Sequence, residues 1–362
     1  MPRDPKRETY LRGAQSFVAG RFETVERESF DDGWTPEERD ERELRTTVTI
    51  ESARSIISHN DSPDVGFDQS INPYRGCEHG CIYCYARPSH SYLELSPGLD
   101  FETRLFAKTN AAELLREALA NPGYTPSPIA LGANTDCYQP IERKYRITRA
   151  ILEMLAECEH PLTVVTKSAL VERDLDILAP MAQKNLVKVF VSIGTLDREL
   201  ARNLEPRAAS PQRRLDVLRA LSEKGIPCGV MVAALVPALN DMTMEQVLEA
   251  SAAAGAAEAA YIIMRLPHEL KELFREWLAK HYPQRAEHVI SIVRQMRGGK
   301  ENDPNFGSRM TGVGNFAELI EKRFAIACRR FGLNGHGAGR KRPELDCSRF
   351  KRPSLSGQMA LF

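Results

Sequence analysis

Hydrophobic and polar positions give the chain three stretches of different rhythm. Up to about residue 66 apolar residues are sparse and unperiodic while charges crowd, as in ERESFDDGWTPEERDEREL, which predicts an extended arm or a loosely packed cap. From about 67 to 266, short β-branched runs alternate with amphipathic ones. PLTVVTKS (161–168), VKVFVSIG (187–194), GIPCGVMVAALVP (225–237) and EAAYIIMRLP (258–267) read as strands. Between them Ile147, Ile151, Met154, Leu155 and Cys158 share one helical face, and 210–224 and 243–255 repeat that pattern. After 267 the pattern is helical throughout: 268–283, 284–299, and a stretch that sets Phe316, Leu319, Ile320, Ala327, Cys328 and Phe331 on one face before Gly332 stops it.

Strand and helix in repeated alternation imply parallel strands joined by right-handed crossovers. The expected fold is α/β: a partial parallel (β/α) barrel over 67–266, preceded by a charged arm (1–66) and followed by a helical extension with a basic tail (267–362). An open doubly wound sheet is the alternative.

Composition narrows the partners. Lys plus Arg and Asp plus Glu both number 49, so the global balance points to neither nucleic acid nor membrane, and a charged partner has to be sought in local patches such as GRKRPELDCSRFKRP. No apolar run reaches the length of a membrane span. The start, MPRDPKRETYLRG, is charged and has no apolar core of a secretory signal, which places the expected location in the cytoplasm. In that compartment the eight cysteines read as metal ligands, reactive thiols or core residues rather than as disulfides.

Three of those thiols, Cys77, Cys81 and Cys84, lie in NPYRGCEHGCIYCYARPSH (72–90) with C-x3-C-x2-C spacing. A structural zinc site closes with four ligands, and His79 or His90 could complete a Cys3His set. An inert core cluster suits poorly a loop that contains Glu78, His79 and two glycines. An iron–sulfur cluster held by three thiolates fits better, and it leaves one iron open to a small molecule.

With Tyr83 filling the aromatic position of C-x3-C-x-aromatic-C, the loop resembles that of the radical S-adenosylmethionine (SAM) enzymes. SINPYRGCEHGCIYCYARPSHSYLELSPGLDFETRLFAK (70–108), NTDCYQPIERKYRITRAILEML (134–155), TVVTKS (163–168), VSIGTLDRELARNLEPRAASPQRRLDVLRALSEKGIP (191–227) and VPALND (236–241) are similar to the branch that contains spore photoproduct lyase. The similarity spans roughly residues 50–347. It implies a barrel of the radical SAM type and a [4Fe–4S] cluster on Cys77, Cys81 and Cys84. SAM would chelate the open iron, and reductive cleavage would yield a 5′-deoxyadenosyl radical that takes hydrogen from a substrate. It also implies an electron donor such as a flavodoxin or ferredoxin, admits nucleic acid as substrate, and needs no membrane.

By the same resemblance Tyr83 sits near the adenine, Lys167 approaches the SAM carboxylate, Ser192 lies at a strand end near the cofactor, and Tyr85 relays hydrogen. Each has a plainer reading: a solvated lysine for Lys167, a serine bonded to backbone for Ser192, core packing for Tyr85. In LEPR, Glu205 could accept bonds from ribose or ammonium and Arg207 could clamp a carboxylate, or the two could form a surface pair. Asp136, Gln139 and Glu142 are expected to contact substrate or cofactor, or else to build a turn. Asn240 and Asp241 read as a strand end, and Cys158, Cys228 and Cys328 as core. The cysteine that donates hydrogen in the lyase corresponds to Ala133, so Cys137 is the nearby thiol that could substitute. A reading of a different class, a zinc or iron–sulfur module that docks nucleic acid without catalysis, leaves some two hundred residues of βα pattern without a purpose.

Overall fold

The computed structural model describes residues 12–22, 45–336 and 344–354, so half of the expected arm (1–11 and 23–44) and the first residues of the basic tail (340–343) lie outside the described residues. The described residues contain ten strands: β1 (Thr47–Ile50), β2 (Ile57–His59), β3 (Gln69–Ile71), β4 (Tyr74–Arg75), β5 (Arg104–Ala107), β6 (Ile129–Leu131), β7 (Leu162–Thr166), β8 (Val187–Ser192), β9 (Cys228–Leu235) and β10 (Glu258–Ile263). Seven form one sheet in the order β10-β9-β8-β7-β6-β3-β2, parallel except for the antiparallel pair β2–β3. Among the described residues β10 and β2 remain unpaired edges, so the barrel is partial, as expected.

The sequence pattern explains the elements. β7 (LTVVT) and β8 (VKVFVS) place alternate β-branched residues in the core. The crossover helix Pro211–Glu223 starts where Ser210 accepts a hydrogen bond from the Arg213 N–H and Pro211 presets the first turn, and it buries Leu215, Val217, Leu218 and Leu221 against the sheet. The helix Ile147–Glu157 buries Ile151, Leu152, Met154 and Leu155 in the same layer. Cys158, Cys228 and Cys328 are buried, as their positions predict.

Two stretches do more in the fold than their pattern conveys, and the buried face of one helix needs correction. The charged arm contributes to the fold in its described parts: β1 joins β5 and β4 in a small second sheet, and β2 extends the main sheet, so a boundary at residue 66 would cut the sheet. In the helix Asn315–Phe331, which does stop at Gly332 in the left-handed region (φ +69°), Leu319 is 50% exposed. The buried stripe passes through Phe316, Ile320, Phe324, Ala327, Cys328 and Phe331, and Leu319 with Ile326 falls on its flank. Finally, the tail residues 344–354 lie against the ends of β6, β7 and β8 where those strands begin. Phe350 packs edge-on to His160 and Tyr124, the Asp346 N–H donates to Asn185 O (3.0 Å), and Arg349 and Lys351 pair with Glu159.

The helical extension builds a second core. Trp277 and Phe274, on the helix Leu270–His281, pack with Val289 and Val293 of Ala286–Gln295 against Cys81, Ile82, Tyr83 and Leu204. It therefore supports the cysteine loop from beneath.

Candidate active site

The cysteine loop runs between β4 and a 3-10 helix, Arg87–Leu93, and is bent by glycines. Gly76 (φ +73°) and Gly80 (φ +67°) occupy the left-handed region, and a Cβ on Gly80 would stand 2.6 Å from Glu102 Oε2. Backbone bonds anchor the loop on both sides: Cys77 N–H to Phe101 O (2.9 Å) and Ile82 N–H to Leu204 O (3.0 Å). Gln139 clamps its start, accepting from the Glu78 N–H (2.9 Å) and donating to Gly76 O (3.0 Å).

Arg87 braces the loop from within. Its Nε donates to Cys81 O (2.9 Å), Nη1 to Pro97 O (3.2 Å) and Gly98 O (2.9 Å), and Nη2 to Gly80 O (3.1 Å) and Glu102 Oε1 (2.5 Å). Glu102 also accepts the N–H groups of Gly13 (3.0 Å) and Ala14 (2.8 Å).

Cys77 and Cys81 are buried and Cys84 is half-buried. Burial pushes the Cys77 thiol well up, and the neighbouring Asp136, Cys81 and Cys84 push it further. Burial raises Cys81 to about 12, against the pull of Lys167. With the Cys77 and Cys81 thiols pushed up by burial, a cationic group is needed to take them as thiolates, and an iron–sulfur cluster would be one. The histidines that could complete a zinc site face elsewhere: His79 Nδ1 is 3.3 Å from Asp136 Oδ2, and His90 Nε2 is 3.0 Å from Arg104 O. Among the described residues no three His, Cys, Asp or Glu side chains, the three cysteines included, are arranged to hold a metal ion.

Beside the loop stand the residues at the C-terminal ends of β7 to β9. Lys167 Nζ lies 5.9 Å from the centre of the Tyr83 ring. Burial alone would lower its pKa, but Cys81, Glu205 and Asp136 outweigh it and raise it. Glu205 accepts from the Tyr83 hydroxyl and from Arg214 Nη2, while Arg214 also donates to Ser192 O (2.8 Å) and Ala209 O (2.7 Å). Burial would raise the Glu205 pKa, yet Arg214, Lys167 and the Tyr83 hydroxyl hold it below the usual range. A small cleft, partly open to solvent, is bordered by Tyr83, Gly194, Thr195, Glu205, Ala234 and Asn240.

Tyr83, Lys167 and Glu205 are thus brought together with the cysteines. Ser192 is close by, but its hydroxyl donates to Ala233 O (3.0 Å), the backbone bond of the plainer reading. Arg207 pairs not with Glu205 but with Glu78 of the loop (3.1 Å). Asp136, Gln139 and Glu142 spend their polar atoms on the protein. Asp136 accepts from Thr166 Oγ1 (2.7 Å), the Lys167 N–H (2.7 Å) and the Tyr138 N–H (2.9 Å). Burial would raise its pKa, but the His79 ring and these donors bring it down to about 2. Glu142 accepts from the Tyr74 hydroxyl, the Thr148 N–H (3.0 Å) and Arg173 (2.7 Å).

The expectation for Cys137 changes, and of the two readings of Tyr85 the plainer one, core packing, does not hold. Cys137 is 0% exposed, in the core below β6, because the turn points its side chain inward beneath Gly132. It offers no thiol to the mouth. Tyr85 is 44% exposed rather than packed in the core, and its hydroxyl donates to the Ala133 carbonyl. Asn240, read as a strand end, is buried: it accepts from the Val236 N–H (2.6 Å) and donates to Gly194 O (2.8 Å) and Ala234 O (3.1 Å), tying together the two loops that edge the cleft. The only hint in the sequence was an amide just after a proline-broken strand.

Comparison with known proteins bears on this arrangement. Residues 71–250 match the Radical SAM superfamily. An uncharacterised protein of Mycobacterium tuberculosis is 39% identical over 272 residues, covering 74% of this chain and 76% of its own. One from Methanocaldococcus jannaschii is 26% identical over 199 residues, covering 55% and 72%. Among solved structures, spore photoproduct lyase complexed with dinucleoside spore photoproduct superposes with a TM-score of 0.59 at 16% identity, covering 81% of this chain and 82% of that one. A lyase double mutant with bound AdoMet and the same dinucleoside gives 0.57 at 17% identity, covering 81% and 82%.

Because Arg87 and Glu102 are both 0% exposed, removing either leaves the other's charge buried. Arg87→Met and Glu102→Leu are each expected to lower the free energy of unfolding by about 3–5 kcal/mol, and the double variant by less than the sum of the two. Anaerobic urea titration reads both effects; additive losses would mean that the two residues act separately.

Proposed function

The chain belongs to the radical SAM superfamily and is an enzyme of that class; from that premise we propose that Cys77, Cys81 and Cys84 hold a [4Fe–4S] cluster beside a SAM site formed by Tyr83, Lys167 and Glu205. When bound, the cluster supplies one electron for cleavage of the SAM sulfonium, and the resulting hydrogen abstraction acts on a substrate not yet identified. A flavodoxin or ferredoxin is the electron donor in this reading.

The observation that carries the proposal is the position of Lys167, whose ammonium lies 5.9 Å from the centre of the Tyr83 ring and feels the charges of Cys81 and Glu205, which sets a cation and an anion near the loop's thiols. The ammonium of Lys167 suits the amino-acid carboxylate of SAM, and Glu205, kept ionised by Arg214, suits its ammonium or ribose. Tyr83, fixed through its hydroxyl to Glu205, offers a ring face to the adenine. Asn240 keeps the far side of the cleft in shape, and the apolar packing of Ile82, Leu200 and Leu204 limits water at the loop. Ser192 and Arg207 act as positioning residues, the first on β9 and the second on Glu78.

Anaerobically reconstituted protein should hold about four irons per chain and release 5′-deoxyadenosine when reduced with SAM present. Replacing Cys77, Cys81 or Cys84 with Ala should abolish both. Stoichiometric zinc without iron would sink the proposal in favour of a zinc-binding module.

Lys167→Ala is expected to keep the iron but to weaken SAM binding by about 1.5–3 kcal/mol, the worth of a lost bond to a charged group. Equilibrium titration of SAM checks this; an unchanged affinity would remove Lys167 from the site.

Likeness to the lyase raises repair of the thymine photoproduct as an alternative, and the mouth argues against it. The position of the lyase's hydrogen donor is Ala133, and Cys137 is enclosed in the core. Incubating reduced enzyme and SAM with DNA that carries the photoproduct should give SAM cleavage without return of thymines. Catalytic repair that disappears in Cys137→Ala would overturn this and make the buried thiol the donor.

A further inference from the structure

The mouth of the partial barrel contains a cation that the SAM site does not use. Arg265 follows β10 by two residues, and its guanidinium carbon stands 5.8 Å from the centre of the Tyr85 ring, immediately after the last cluster cysteine. The side chain is half-buried. Among the described residues it joins no ion pair: Nε is buried without a hydrogen-bond partner, and Nη1 reaches only the Met310 thioether at 3.9 Å, a weak acceptor.

Neighbouring arginines are all spent. Arg309 forks onto Asp64 at 2.5 and 2.7 Å. Arg297 is buried and serves as a bracket, donating from Nη1 to Ser308 O and Arg309 O (both 2.9 Å) and from Nη2 to Ile263 O (3.3 Å) and Met264 O (3.0 Å). It thereby fixes the end of β10, which carries Arg265, against the segment that carries Arg309. Burial and the charge of Arg309 lower the Arg265 pKa by more than Tyr85, Asp64 and Asp303 raise it, so an anion in direct contact would add stabilisation that these neighbours do not supply.

We propose that Arg265 anchors an oxyanion of the substrate, a carboxylate or a phosphate ester, beside the Tyr85 ring. A guanidinium offers such a group two parallel N–H donors, and in a half-buried setting an unpaired charge is costly enough to favour a partner. Tyr85 spans the mouth, with its hydroxyl on Ala133 beyond β6 and its ring under Arg265 beyond β10. An anion held there places the rest of the substrate over the cluster side. The inference rests on the radical SAM reading for the choice of which end of the barrel receives substrate.

The test treats the reconstituted holoenzyme, without SAM, with phenylglyoxal and follows each arginine by peptide mass spectrometry, with inorganic phosphate, acetate, or sodium chloride of equal ionic strength as competitor. Arg265 should react ahead of Arg309 and Arg297 and be protected several-fold by millimolar phosphate or acetate but not by chloride. Protection by phosphate alone would identify a phosphate ester, protection by acetate alone a carboxylate, and protection by both supports an oxyanion of either kind. An Arg265 that does not react, that reacts equally with and without both anions, or that chloride protects equally well would overturn the proposal. Because the readout is an adduct rather than turnover, this result and the 5′-deoxyadenosine assay can fail separately.

Discussion

The buried pair Arg87–Glu102 is the interaction on which the rest of the site depends. A loop that must present three thiols cannot be a helix or a strand, so its carbonyls lack the partners that regular structure supplies. Arg87 meets that need with all five donors: four go to the carbonyls of Gly80, Cys81, Pro97 and Gly98 and one to Glu102. Burying a guanidinium costs several kcal/mol unless every donor is paired, and here every one is. Glu102 in turn takes the N–H groups of Gly13 and Ala14, so one ion pair fixes the loop and the described N-terminal segment together. A lysine could keep the charge but not five directed bonds.

A second carboxylate sets the position of the cation opposite the loop. Asp136 binds the backbone N–H of Lys167 and the Thr166 hydroxyl on β7, and faces His79 between the first two cysteines. The start of the Lys167 side chain is therefore held by a buried carboxylate that also acts electrostatically on Cys77. Glu205 and Arg214 provide the balancing pair: without Arg214, a carboxylate between Cys81 and the Tyr83 hydroxyl would gain little from staying ionised.

These roles mark the boundary of what the sequence could convey. The strands and crossover helices were legible because β-branched alternation and helical periodicity are local, and the cysteines because ligand spacing within one loop is local too. Lys167 could be named through resemblance and Glu205 from the chemistry of a carboxylate in a polar break, but their partners could not: Arg214 sits on a helix whose pattern explains it as an ordinary polar position, and Arg87 reads as a charge after a motif. Asp136, Gln139 and Glu142 were recognisable as a polar cluster at a strand end. Whether such a cluster faces a ligand or the protein depends on where Gly76, Glu78 and Arg173 come to lie, which only the folded chain determines. Cys137 was misplaced for a similar reason, since a one-residue change in a turn's direction moves a side chain from mouth to core.

The unpaired edges of the sheet give the molecule its direction of access. β10 and β2 do not meet, and the gap between them is crossed by the segment that places Met310 O on the Ile263 N–H and Arg309 on Asp64, in the β2–β3 connection. At the end where the strands begin, Phe350 with His160 and Tyr124 covers the sheet, and Glu159 holds Arg349 and Lys351, so these two basic side chains already have a partner. The side is latched by an ion pair and the bottom covered by aromatic rings. Among the described residues, what stays accessible is the end bearing Cys84, Tyr85 and Arg265, where a partial barrel can admit a larger substrate than a closed one without exposing the loop beneath.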